Sequence, residues 1–74
     1  MALTLRFLDE EEEPVDTVAV TMVFNGLERI DRITDQNGEI IIHPCPWNSV
    51  HITVSGHPMG VYTVYDGLNL DVDL

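Results

Sequence analysis

The histidines and the single cysteine of this chain are the side chains best suited to chemistry. His43 and Cys45 stand two residues apart, so they share one side of an extended strand, and His51 follows closely. Thiolate and neutral imidazole bind zinc and copper well, which makes His43, Cys45 and His51 the candidate metal ligands. No Cys-x-x-Cys or His-x-x-x-His spacing accompanies them, and a lone cysteine is more often a small buried apolar side chain. The sequence therefore predicts no cofactor.

The thiol of Cys45 could also act as a nucleophile with a histidine as its base. A dyad of this kind needs a cleft and a third group that orients the histidine, and the sequence supplies neither. We therefore expect no catalytic residue and no enzymatic activity.

Acidic side chains dominate the charge of the sequence. Thirteen aspartates and glutamates oppose three arginines, there is no lysine, and the net charge is −10 at pH 7. Such a surface repels nucleic acid and anionic membranes, so a charged partner is expected to be basic, either a protein surface or a cation. The alternative is that the charge only keeps the protein soluble, as in a salt-adapted or lysine-poor proteome. Glu10, Glu11, Glu12 and Glu13 form an unbroken acidic run before Pro14, which is either a plain solvated loop or a contact for that partner.

Two aspartates near the end of the sequence are further candidate contacts. Asp71 and Asp73 project from one face of the last predicted strand, beside Asn69. Three oxygen donors in this arrangement can contact Ca²⁺ weakly, whereas charges on an edge strand also prevent aggregation.

Trp47 is the remaining candidate for protein binding. It follows two prolines at a break between strands, and we expect it to pack across the end of the core. The alternative is an exposed aromatic patch formed by Trp47, Tyr62 and Tyr65.

Apolar and polar residues alternate along most of the chain, at the period of two that is typical of half-buried β-strands. No stretch shows the spacing of a helix. The alternation predicts a single domain, residues 1–74, with seven strands. The predicted strands span residues 2–8, 16–24, 28–34, 39–43, 49–55, 61–65 and 68–74.

The strongest turn signal is Thr-Asp-Gln-Asn-Gly at residues 34–38. It predicts a tight hairpin in which Gly38 adopts a positive φ and the Asp35 carboxylate accepts hydrogen bonds from the turn backbone. Asp35 is thereby assigned to holding a turn.

Other breaks in the alternation divide the remaining strands. Asn25-Gly26 and Asp66-Gly67 predict two more tight hairpins, and residues 55–60 predict a loop. Prolines in residues 44–47 predict the crossing from one sheet to the other. The first strand, the last strand and the segment 28–34 are the predicted sheet edges, and pairing of such edges is the expected route to a homo-oligomer.

Three segments resemble the carboxypeptidase-regulatory-like domains. They are Leu-Asp, Glu-Pro-Val and Val-Ala-Val within residues 8–20, Thr-Asp-Gln-Asn-Gly-Glu-Ile at 34–40, and Pro-Trp-Asn-Ser-Val-His-Ile-Thr-Val-Ser-Gly at 46–56. These domains belong to the transthyretin-like, or prealbumin-like, β-sandwich group. The resemblance implies an all-β, seven-stranded antiparallel Greek-key sandwich of immunoglobulin-like architecture. It also implies an accessory or binding role.

One class of enzymes in that group, the hydroxyisourate hydrolases, carries a Tyr-Arg-Gly-Ser signature. Residues 65–68 read Tyr-Asp-Gly-Leu, so the resemblance does not extend to that activity.

The expected function is therefore a non-enzymatic protein-interaction or structural module that acts through edge strands and loops. A small component of a larger assembly, such as a phage or secretion machine, is one form of this hypothesis. The alternative is an acidic inhibitor that mimics nucleic acid or blocks a basic protein surface, which predicts that the acids form one band. No signal peptide is visible, so we expect the protein in the cytoplasm or in an assembled particle.

Overall fold

Seven β-strands in two sheets make up the computed structural model, which describes residues 1–74. The strands are β1 (Leu3–Leu8), β2 (Ala19–Phe24), β3 (Glu28–Ile33), β4 (Glu39–Ile42), β5 (Ser49–Val54), β6 (His57–Thr63) and β7 (Asn69–Asp73). The three-stranded sheet has the order β4-β1-β7, and the four-stranded sheet has the order β3-β2-β5-β6. There is no helix long and apolar enough to cross a membrane.

The core lies between the two sheets and is built by the predicted alternation. On β1, Leu5 and Phe7 point inward, and on β2, Met22 and Phe24 point inward to meet them, all fully buried. Because successive side chains of a strand point to opposite faces, the intervening residues remain at the surface. The predicted all-β class and the number of strands are confirmed.

The pairing of β7 departs from the wholly antiparallel sandwich that was expected. β7 lies beside β1 in parallel orientation, with Leu70 opposite Leu5 and Val72 opposite Phe7. The predicted hairpin at Asp66-Gly67 is wrong, because the turn carries the chain from β6 in one sheet to β7 in the other. A local turn signal specifies the reversal of the chain and leaves open which strand the next segment joins.

The turn at residues 34–38 is formed as predicted, but it does not make a hairpin. Asp35 Oδ1 accepts hydrogen bonds from the backbone N–H of Asn37 at 2.8 Å and of Glu39 at 2.9 Å. This is the predicted role of Asp35. The strands on either side of the turn, β3 and β4, lie in different sheets, so the turn connects the two layers.

The segment 55–60, predicted as a loop, is instead a tight turn followed by strand. Ser55 and Gly56 have φ angles of 49° and 82°, the signature of a two-residue hairpin turn, and β6 begins at His57. Serine is uncommon at positive φ, which is why the turn was not predicted. The Asn25-Gly26 hairpin between β2 and β3 is confirmed, as is the crossing of residues 44–47 between sheets.

The sheet edges were predicted in part. β3 and β7 are edge strands, as expected, and β4 and β6 are the other two. β1 is the central strand of its sheet, so its assignment as an edge is wrong. β2 begins at Ala19, three residues later than predicted, because the Val18 N–H donates to the Thr34 side-chain Oγ1 at 3.0 Å and not to a backbone carbonyl of β3.

Replacing inward and outward residues of β5 tests the strand register. Ile52→Asp buries an unpaired charge in a fully buried site, which costs several kcal/mol. The free energy of unfolding of a chain of this length is about 4–11 kcal/mol, so we expect this variant to be unfolded. Thr53→Asp points to the outer face and should fold. Circular dichroism with urea titration measures both, and equal effects would contradict the register.

Two glycines separate the cost of positive φ from the cost of close packing. Gly38 and Gly26 have φ angles of 70° and 73°. A Cβ on Gly38 would lie 2.9 Å from the Phe7 carbonyl oxygen, whereas one on Gly26 would meet nothing within 4 Å. We expect Gly26→Ala to destabilise the fold by about 1–2 kcal/mol, the cost of the left-handed backbone alone. Gly38→Ala should cost clearly more in urea titration, and similar losses would contradict the close approach.

Candidate functional site

The three candidate metal ligands are dispersed. His43 is exposed after β4, where its Nδ1 lies within hydrogen-bonding distance of the Met1 carbonyl oxygen. The Cys45 side chain is buried in the core, with Sγ 3.6 Å from the Trp47 carbonyl oxygen. His51 lies on the outer face of the four-stranded sheet. No group of three His, Cys, Asp or Glu side chains is arranged to hold a metal ion.

Trp47 closes the core instead of forming an exposed patch. Its ring stacks on Phe24, with the ring centroids 4.4 Å apart and the planes inclined at 26°. Tyr62 packs half-buried against the same core, while Tyr65 is exposed. The three aromatic rings therefore do not share one surface, and the expectation that Trp47 packs at the end of the core agrees with this geometry.

The acidic run is the exposed part of a well-formed turn. Asp9 Oδ1 accepts hydrogen bonds from the backbone N–H of Glu11 at 2.8 Å and of Glu13 at 3.0 Å. The side chains of residues 10–13 are all exposed. Asp9 was not identified from the sequence, although an aspartate two residues before the turned backbone is the usual signal for this motif. These two hydrogen bonds order the loop and so fix the positions of its four glutamates.

A buried threonine holds the far end of the same loop. Thr34 Oγ1 donates a hydrogen bond to the Val15 carbonyl at 2.9 Å and accepts one from the Val18 N–H at 3.0 Å. The residue is only 4% exposed. Burial makes both hydrogen bonds valuable, since an unpaired backbone group there would cost about 1–3 kcal/mol. The sequence suggested only that Thr34 begins a turn.

The parallel pairing of β1 and β7 brings the separate acidic groups to one end of the molecule. The acidic loop starts immediately after β1, and Asp73 on β7 is opposite Leu8, the last residue of β1. The Leu74 N–H donates to the Leu8 carbonyl at 2.9 Å. Glu10 and Glu11 line a shallow depression with Leu74. We call Glu10, Glu11 and Asp73 the acidic rim.

Asp71 faces an arginine on the outer face of the three-stranded sheet. Arg6 Nε lies 3.3 Å from Asp71 Oδ1, and both side chains are about half exposed. Exposed pairs of this kind contribute about 0–1 kcal/mol. Arg6 is the only basic residue on this sheet, because Arg29 and Arg32 both lie on β3.

On two of the four edge strands, β3 and β7, charged residues occupy positions whose backbone N–H and C=O groups are free. Along an edge strand, alternate residues direct their backbone N–H and C=O groups away from the sheet. The hydrogen bond from Thr4 N–H to the Leu68 carbonyl places the free groups of β7 on Asn69, Asp71 and Asp73. On β3, Arg29 and Asp31 occupy the corresponding positions and form an ion pair at 3.3 Å. Such charges oppose pairing with another strand.

The edge of β6 carries no such protection. The hydrogen bond from Val64 N–H to the Asn48 carbonyl places the free backbone groups on Val61 and Thr63. Val61 is 71% exposed, and no residue from Pro58 to Tyr65 is charged. β6 is therefore the longest uncharged open edge in the molecule. The edge of β4 is also apolar at Ile41 but only four residues long.

An apolar cleft opens at the end of the sandwich beside this edge. It has a volume of about 370 Å³ and lies where β5 turns into β6 and where β7 ends. Its lining residues are Val18, Val54, Ser55, His57, Met59 and Leu74. Leu74 borders both this cleft and the depression beside Glu10 and Glu11, so the acidic rim adjoins the cleft.

The fold defines a small all-β protein of two sheets. Searches against protein-family models, curated proteins and solved structures find no match to the chain.

The carboxyl of Asp31 on β3 is more acidic than an ordinary aspartate. The Thr21 hydroxyl donates to Asp31 Oδ1 at 2.7 Å, and this hydrogen bond, with a smaller contribution from Arg29, lowers the pKa of the carboxyl below 3.8. A lowered pKa stabilises the fold above the ordinary value, and that contribution is lost as the pH falls through the lowered pKa.

Removing the Thr21 hydroxyl tests the origin of this shift. In Thr21→Val we expect the pKa of Asp31 to rise toward 3.8, because the dominant hydrogen bond is lost. Thr21→Ser keeps the hydroxyl and should keep the pKa low. Carbon-detected NMR titration of the carboxyl measures both variants. An unchanged pKa in the valine variant would show that Arg29 alone is responsible.

Proposed function

We propose that this protein is a non-enzymatic interaction module, or a small structural component of a larger assembly, that pairs with another protein through an edge strand. The observation that carries the proposal is the open edge of β6. Its free backbone groups belong to Val61 and Thr63, and its exposed side chains are uncharged. An extended segment that adds to such an edge gains main-chain hydrogen bonds and contacts with alternate side chains.

The contrast with the other edges supports this proposal. Proteins that avoid edge pairing place charges, prolines or short strands at their edges. β3 and β7 carry charges and β4 is short, whereas β6 has its one proline, Pro58, at the second position only. Since three edges are protected and one is open along Val61 and Thr63, the open edge is the best candidate for a functional surface.

We further infer that the sheets form a Greek-key sandwich of the transthyretin-like group. The support is the agreement of three features with the resemblance seen in the sequence. These are the seven strands, the turn held by the Asp35 carboxylate and the proline-bracketed crossing at residues 44–47. A family of accessory and binding domains suits an interaction module, although a fold alone hosts many functions.

A second candidate function is the acidic inhibitor of a basic protein surface. The observation that favours it is the meeting of the acidic loop and β7 at one end of the molecule, with Arg6 as the only basic residue on that sheet. A localised field of one sign attracts and orients a basic partner. This candidate predicts binding through the acidic loop and β7, with the β6 edge uninvolved.

Selection from a random peptide display library on the immobilised protein tests the edge proposal. We expect the selected peptides to perturb the backbone amide signals of Val61 and Thr63 in NMR titrations, because pairing with β6 engages those groups. Val61→Lys should abolish their binding by placing a charge on the open edge.

The control is Ile33→Lys, on the opposite edge of the same sheet. Ile33 is 65% exposed and Val61 is 71% exposed, so the two substitutions are closely matched. Ile33→Lys should leave binding unchanged. Peptides that map to residues 9–13 would favour the inhibitor instead, and the absence of any peptide that maps to β6 would contradict the proposal.

A further inference from the structure

We propose that the apolar cleft and the β6 edge together receive an extended segment of a partner protein that carries an apolar side chain flanked by lysine or arginine. This inference rests on the proposed function and names the chemistry of the partner. The cleft would take the apolar side chain, the acidic rim would contact the basic ones, and the edge would pair with the backbone.

The lining of the cleft selects an apolar side chain. Val18, Val54, Met59 and Leu74 supply apolar walls, while Ser55 and His57 are the only polar lining residues. Burying apolar surface there contributes about 25 cal/mol for each Å² removed from water. The cleft begins at the same end of β6 as Met59, so one strand can pair with β6 and reach the cleft.

The position of the rim selects basic neighbours for that side chain. Leu74 forms a wall of the cleft and also lines the depression beside Glu10 and Glu11. In a strand added to β6, every second side chain faces the three-stranded sheet. When one of these enters the cleft, the side chain two positions away can reach past Leu74 to the depression beside Glu10 and Glu11.

The same charges argue against a second copy of this chain as the occupant. Each copy carries a net charge of −10, so two copies brought together through β6 repel one another. Repulsion between like charges opposes such an association. The same acidic side chains attract a basic segment and repel a second copy of the chain.

Three synthetic peptides test the proposal by isothermal titration calorimetry with the full chain. In the first, a central leucine has a lysine two positions away on each side and valines between them; the second has glutamate for every lysine; the third has serine for every valine and leucine. We expect only the first to bind, and to bind about tenfold more weakly when the salt is raised from 50 to 500 mM, because the rim contacts are exposed to screening.

Variants of the protein separate the two parts of the site. Leu74→Ser removes a wall of the cleft and should weaken the lysine peptide, whereas Leu27→Ser, an equivalent change at a leucine that is 89% exposed outside the cleft, should not. The combined change Glu10→Gln, Glu11→Gln and Asp73→Asn should weaken it about tenfold. Glu28→Gln on β3 removes one charge outside the rim and should leave the affinity unchanged, and Glu10→Gln alone is the single-charge variant to compare with it. Amide NMR spectra confirm that each variant is folded.

The outcomes distinguish this inference from the proposed function. If display-selected peptides bind β6 but the lysine and glutamate peptides bind equally well, the edge function stands and the basic partner is overturned. If no peptide of any composition perturbs β6, both fail. Sedimentation that shows a dimer of the protein alone at micromolar concentration, lost in Val61→Lys, would overturn the inference in favour of a second copy.

Discussion

The parallel pairing of β1 with β7 is the constraint on which the rest of the structure depends. Five residue pairs from Thr4 and Asn69 to Leu8 and Asp73 join the two strands. β1 thereby becomes the centre of the three-stranded sheet, and its Leu5 and Phe7 side chains anchor the core. Parallel strands cannot be joined by a hairpin and need a long crossover connection. The chain between β1 and β7 makes that connection and forms the second sheet on the way.

The functional surface follows from the same pairing. Because β7 joins β1 in the other sheet, β6 has no strand on its outer side and its edge stays open. The end of β7 comes to lie beside the acidic loop that follows β1, which sets Asp73 near Glu10 and Glu11. The cleft at Leu74 exists because the beginning of β6 and the end of β7 lie apart in opposing layers. Edge, cleft and rim are therefore one consequence of how β7 is placed.

Local features of the sequence predicted the strands well and the sheets poorly. The alternation around Ile52 and the turns at Asp35 and Asn25-Gly26 depend on neighbouring residues, and each was predicted correctly. Which strands pair depends on contacts between distant residues, which a turn signal does not encode. The turns at 34–38 and 66–67 therefore suggested hairpins although both bridge the sheets. The cleft escaped prediction for the same reason, since its walls come from three stretches of the chain that are distant in sequence.

Backbone NOE contacts between strands, measured on the isotope-labelled protein, test this placement of β7 most directly. The structure predicts contacts between Thr4 and Asn69 and between Phe7 and Val72, in the pattern of a parallel pair. It also predicts that the Val61 amide, at the open edge of β6, exchanges rapidly with solvent. Contacts of an antiparallel β6–β7 hairpin, centred on Asp66-Gly67, with slow exchange at Val61, would contradict both the fold and the proposed binding surface.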